Sequence, residues 1–150
     1  MNNLNLNNLT PEQVLILINE LKISLSQINI HLLKVNMIKP LNIRQNIVSL
    51  DLHIYYVLFI KKGIRDPDSF TIILLFQNIG HTLVRVDING GNHMNPDNSI
   101  APKSHIHIYN SQFEKKDRYA YALKPSDFPN TNTLYTVYLS FLKFTNIDRK

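Results

Sequence analysis

Four of the chain's six histidines fall within residues 81–109, which read HTLVRVDINGGNHMNPDNSIAPKSHIHIY. Two alternating segments flank a polar loop rich in Gly, Asn and Pro. Successive side chains on a strand point to opposite faces. In the first segment Thr82, Val84, Val86 and Ile88 share one face, and His81, Arg85 and Asp87 the other. In the second, Ile106 and Ile108 point one way, and His105, His107 and Tyr109 the other. If the segments pair, Arg85, Asp87, His105 and His107 gather opposite the core. His93 then sits on the loop above them.

Such a group suits acid–base chemistry on a phosphodiester. Cleaving RNA without metal needs a base for the 2′-hydroxyl and an acid for the leaving oxygen, and histidine serves both roles near neutral pH. Positions i and i+2 on a strand lie about 6.6 Å apart, a spacing that could bracket a phosphate. On this reading His105 and His107 are the catalytic pair and His93 assists. Asp87 fixes an imidazole tautomer, and Arg85 faces the transition-state charge. Lys103 and Tyr109 support nucleic-acid binding. No cofactor is needed, and His107→Ala should abolish activity with the thermal midpoint nearly unchanged.

Two other readings stand beside it. His-x-His on a strand plus a loop histidine could give zinc three ligands and leave one position open, with Asp87 behind them. Alternatively, His105 and His107 are ordinary residues on the solvent face of a half-buried strand, a pattern that alternation alone produces. Gly90-Gly91 lacks the context of a phosphate loop and is expected to supply positive φ at a strand exit. Asn95-Pro96-Asp97-Asn98 reads as a turn. Tyr119 and Tyr121 share a strand face, more for edge packing than for base stacking.

Elements must position these groups. At 150 residues and 44% hydrophobic composition the chain reads as one domain over 1–150. Residues 1–9 are expected to be ordered only where they dock. Thr10-Pro11-Glu12-Gln13 is a helix start with a capping box, and helical spacing continues to about Ser26 or Ile30. Residues 31–45 are ambiguous, with Pro40 interrupting any regular element. Asn46–Lys62 forms one bent strand or two short ones. Phe70–Gln77 is apolar on both faces, so it reads as a covered strand. A short turn leads into His81–Asn89, then come the loop, His105–Tyr109 and Arg118–Leu123. Asn130 or Thr131 caps a last helix, Thr133–Phe144. The sum is an α+β fold. A mostly antiparallel sheet of about five strands carries an N-terminal and a C-terminal helix on one face.

There are no cysteines, so disulfides and thiolate metal sites are excluded. The N-terminus does not read as a signal peptide, and no run approaches the roughly 18 apolar residues of a membrane span. The cytoplasm of a bacterial host cell is the expected location. The net charge of +5 suits an anionic partner. Tyr55, Tyr56 and Phe59 could face a core or a second copy, which leaves a homodimer open.

The string Arg85-x-Asp87-Ile88-Asn89-Gly90-x-x-His93-x-Asn95-Pro96-Asp97, then Pro102-x-x-His105-Ile106-His107-Ile108-Tyr109 and Tyr119-Ala120-Tyr121-x-Leu123, resembles an uncharacterised family of small proteins. Its members occur on phages and mobile elements of low-GC bacteria, and the resemblance covers roughly the C-terminal half. Family members usually carry Gly where this chain has Asn98, which also tolerates positive φ. They place Pro directly before His-x-His, where Lys103 and Ser104 intervene here. The core is also distantly similar to toxin–antitoxin toxins, which implies a nucleic-acid-directed activity with Asp87, His93, His105 and His107 in the site. Two functions are therefore expected. One is a toxin-like endoribonuclease acting on RNA. The other is a non-enzymatic, phage-encoded inhibitor of the anti-CRISPR kind, which binds a host defence ribonucleoprotein.

Overall fold

A computed structural model describes residues 4–34 and 40–149. The elements are, in order, α1 Pro11–Asn19, β1 Lys22–Ser24, α2 His31–Lys34, β2 Leu41–Ser49, β3 Tyr55–Lys62, β4 Phe70–Phe76 and β5 Thr82–Ile88. They continue with β6 His93–Met94, β7 Ile100–Ala101, β8 His105–Ile108, β9 Ala120–Ala122, α3 Leu134–Phe144 and β10 Ile147–Asp148. The class is α+β, but the main sheet has eight strands rather than about five, in the order β10-β1-β2-β3-β4-β5-β8-β9. All its pairings are antiparallel except that of β1 with β10. A separate two-stranded ribbon, β6-β7, is built from the polar loop. Among the described residues no helix is long and apolar enough to cross a membrane.

One face of the sheet carries the core. Tyr56, Leu58, Ile60, Ile72, Leu74, Val84, Val86 and Ile106 occupy matching positions on adjacent strands. Val14, Leu17 and Ile18 of α1 join them, as do Val137, Tyr138 and Phe141 of α3. Each fully buried side chain of this size contributes about 1.5–3 kcal/mol. Residues 4–9 are tied down: Leu9 lies in the core, and the Tyr109 hydroxyl donates to the Leu6 carbonyl at 2.8 Å. Residues 1–3 of the expected loose end lie outside the described residues, as do 35–39 of the ambiguous stretch.

α1 starts as its sequence predicts, with Thr10 and Gln13 closing the capping box. It ends at Asn19, well short of Ser26, because the next residues find partners in a sheet. Lys22–Ser24 pairs with β2 on one side and β10 on the other. Leu21 and Leu25, which had extended the helical spacing, are exposed. Asn46–Lys62 is not a single strand, since Leu50–Ile54 turns the chain through His53 at φ 54. α3 is capped by Thr133, not by Asn130 or Thr131, with the Thr133 hydroxyl accepting from the Thr136 N–H.

Candidate functional site

The site grows from the pairing of β5 with β8. Its register sets Arg85 opposite His107 and Asp87 opposite His105, all on the face away from the helices. The helices leave that face uncovered, but it is not open at this point. The β6-β7 ribbon and the chain around Pro102 and Arg118 cover it. Asp87, His105 and His107 are 5%, 4% and 5% exposed. Arg85 stands at the rim with a third of its side chain in solvent.

Asp87 is the hub. Its Oδ2 lies 3.2 Å from Nε2 of both His105 and His107. Arg85 Nε donates to Oδ2 at 3.0 Å and Oδ1 at 3.2 Å. The Thr71 hydroxyl, across the β4–β5 pairing, donates to Oδ1 at 2.6 Å. Burial opposes the charge on Asp87. The hydrogen bonds from His105, His107 and Thr71, with the Arg85 charge, outweigh it and hold the carboxyl well below the usual range. Nδ1 of His105 donates to the Pro102 carbonyl at 2.7 Å. The Asp87 hydrogen bond raises the His105 pKa against the opposing effect of burial, with Pro102 adding to the rise.

His93 closes the group from the ribbon. Its Nε2 donates to the Arg118 carbonyl at 2.9 Å, and its ring lies 5.0 Å from that of His107 and 5.7 Å from that of His105. Nδ1 of His107 is buried with no hydrogen-bond partner. Asp87, His105 and His107 each bring a ligand atom within 4.8 Å of the others, a buried set that can hold a metal ion.

The structure thus brings together His93, His105, His107, Asp87 and Arg85. It does not bring in Lys103, whose side chain is exposed. Its carbonyl receives the Gly90 N–H instead. Nor does it bring in Tyr109, because β8 ends at Ile108 and alternation stops with it. Tyr109 packs edge-on to Phe76 in the core. His107 is buried, so truncating it to Ala removes packing and is expected to lower the thermal midpoint.

Three residues escaped the sequence reading. Thr71 becomes visible only once the β4–β5 register is known. Asp117 is buried with its Oδ2 3.9 Å from Arg85 Nη1. Asn95, read as a turn residue, is buried. Its amide accepts from the Ala120 N–H at 2.8 Å and donates to the Ala120 carbonyl at 2.9 Å, which ties the ribbon to β9. The turn takes its positive φ at Asn98 (70°); at the strand exit the positive φ values fall on Gly91 (90°) and Asn89 (53°), not on Gly90. Tyr119, just before the edge strand β9, and Tyr121 within it have their rings 4.9 Å apart, with Tyr121 exposed.

A family model described as "Family of unknown function (DUF6978)" matches residues 9–147, and the chain belongs to that family. The match reaches well beyond the C-terminal half that carried the resemblance above. No curated protein and no solved structure matches the chain.

Proposed function

We propose that this family member acts on RNA as an endoribonuclease, with a divalent metal ion, zinc first, held by Asp87, His105 and His107. The observation that carries the reading is the convergence of two Nε2 atoms on one carboxylate oxygen, each at 3.2 Å. Zinc ligands at about 2.0–2.2 Å in a tetrahedron lie roughly 3.3–3.5 Å apart, so the two distances from imidazole nitrogen to carboxylate oxygen are already close to the edges of a coordination shell. The bond from His105 Nδ1 to a backbone carbonyl is the support a metal-ligating histidine needs. A free acid–base pair fits less well, because both imidazoles are aimed at Asp87 and not at a shared open point.

A bound zinc ion would supply an activated water and a Lewis acid. Arg85 bridges both oxygens of Asp87 and can keep Oδ1 while Oδ2 serves the metal. Its partly exposed guanidinium is placed to contact a phosphate at the rim. His93, half-buried, is the histidine with access to a bound substrate. The origin on a phage or mobile element and the toxin-like role belong to this same reading.

The test uses metal-stripped protein, the same protein reloaded with zinc, and Asp87→Asn and His105→Gln/His107→Gln variants. Each is assayed for bound zinc by elemental analysis and for cleavage of labelled RNA. Stoichiometric zinc and cleavage in the reloaded parent alone are expected. Absence of both, with specific capture of a host defence nuclease, would replace this reading by the inhibitor.

A further inference from the structure

We propose that the open face of β2–β5 binds a single strand of nucleic acid and leads it to the histidine cluster. The inference rests on the nucleic-acid reading above and names the surface that would serve it. The described helices pack on the opposite face, where the core lies. On the open face, register aligns Arg44, Phe59, Ile73, Arg85 and His107 in one row across five strands. The neighbouring row runs Asn42, Lys61, Thr71, Asp87, His105. The exposed platform therefore runs along these rows up to Arg85, at the rim of the covered cluster.

Its charge selects the partner. Arg44, Lys61 and Arg85 are cationic, and the one acid on these two rows is Asp87, already buried beneath Arg85 and two histidines. Arg44 and Lys61 are exposed. Both sit against the Phe59 ring, at 5.5 Å and 5.2 Å from its centroid. A ring that holds two cations in place lowers the side-chain entropy lost when an anion binds. With strands about 4.8 Å apart, Arg44 and Arg85 stand about 14 Å apart, enough to meet more than one phosphate of an extended strand. A sheet face carrying basic groups and an aromatic ring suits a single strand better than a duplex groove. The Arg44 guanidinium can itself stack on a base.

The experiment is fluorescence anisotropy of labelled oligouridine on metal-stripped protein, titrated at several salt concentrations. The parent is compared with Arg44→Ala/Lys61→Ala. Lys143→Ala, exposed on α3, is the control. Losing two phosphate contacts should weaken binding about tenfold or more at low salt and make the log–log salt slope shallower by about 1.4. Lys143→Ala should leave both unchanged. No binding by the parent, an unchanged double variant or an equal loss in Lys143→Ala would overturn the proposal. Binding is read without cleavage, so the two readings fail separately. Platform-dependent binding by a protein that never cuts RNA keeps this surface and removes the nuclease.

Discussion

Nδ1 of His105 lies 2.7 Å from the carbonyl oxygen of Pro102, and that contact decides which nitrogen can face Asp87. A carbonyl only accepts, so Nδ1 carries a proton. In a neutral ring Nε2 would then present a lone pair to a carboxylate oxygen 3.2 Å away. Protonation of Nε2 or a cation between the two resolves the clash. The prediction is that Nδ1 of His105 stays protonated in metal-free and zinc-loaded protein alike. Nitrogen-15 NMR of the ring reads this directly, and a neutral Nε2–H tautomer in either form would contradict it.

Asp87→Asn should be strongly destabilising. The change leaves Arg85, His105 and His107 without their shared carboxylate in a buried place. Breaking a buried ionic group in this way costs about 3–5 kcal/mol, which for a chain of this size lowers the midpoint by on the order of 10 °C. Thr71→Val, which removes one hydrogen bond to Oδ1 and keeps the shape, should cost about 1–3 kcal/mol. Thermal and urea denaturation check both. A midpoint for Asp87→Asn equal to the parent's would mean the hub holds nothing together.

Asn95→Ala should loosen the ribbon without unfolding the sheet. The Asn95 amide replaces a neighbouring strand for both backbone groups of Ala120. Each buried group left unpaired costs about 1–3 kcal/mol. Hydrogen exchange at the Ala120 amide should quicken by at least tenfold, while exchange in β3 and β4 stays slow. Uniform acceleration throughout the sheet would argue against a local tie.

Lys22 predicts an alkaline gain in stability. Its side chain is 0% exposed, and Nζ donates to the carbonyls of Ile18, Glu20 and Thr145. Burial pushes its pKa down to about 8, partly offset by Glu20. The unfolded lysine titrates near 10.4. Between those values the unfolded chain binds more protons here, so this group makes stability rise with pH. Below pH 8 both states are protonated and the burial penalty is carried in full. Tyr56 reverses the trend above about pH 10, because burial and Glu20 hold its hydroxyl protonated beyond the ordinary value. The midpoint of the parent should therefore gain on that of Lys22→Met between about pH 8 and pH 9.5. Parallel curves would show that Lys22 does not titrate there.

Much of the central sheet was legible because alternation is a strong signal where one face is covered. β4, β5 and β8 fall within a residue or two of their expected limits, and the β5–β8 register is the one their polar face implies. The short edge strands were not legible. β1 and β10 have two or three residues each, and only their pairing with one another and with β2 makes them strands. At the site, Asp87, His105 and His107 could be grouped from spacing, but their burial could not. It depends on Asn95 and His93 reaching Ala120 and Arg118 in a distant segment, which no local pattern records. Tyr109 was misplaced because alternation was carried one residue past the end of its strand.

The parallel pairing of β1 with β10 has a consequence for how the chain is made. Lys22 lines up with Ile147, and its ammonium takes the Thr145 carbonyl as a third acceptor. A ribosome delivers Lys22 long before Thr145. Until then the buried cation lacks one acceptor and the sheet lacks its outer seam. Synthesis of the last turns of α3 and the strand after it therefore acts as a latch, and a nascent chain stalled before Thr145 should be more open to proteolysis around β1 than the released protein.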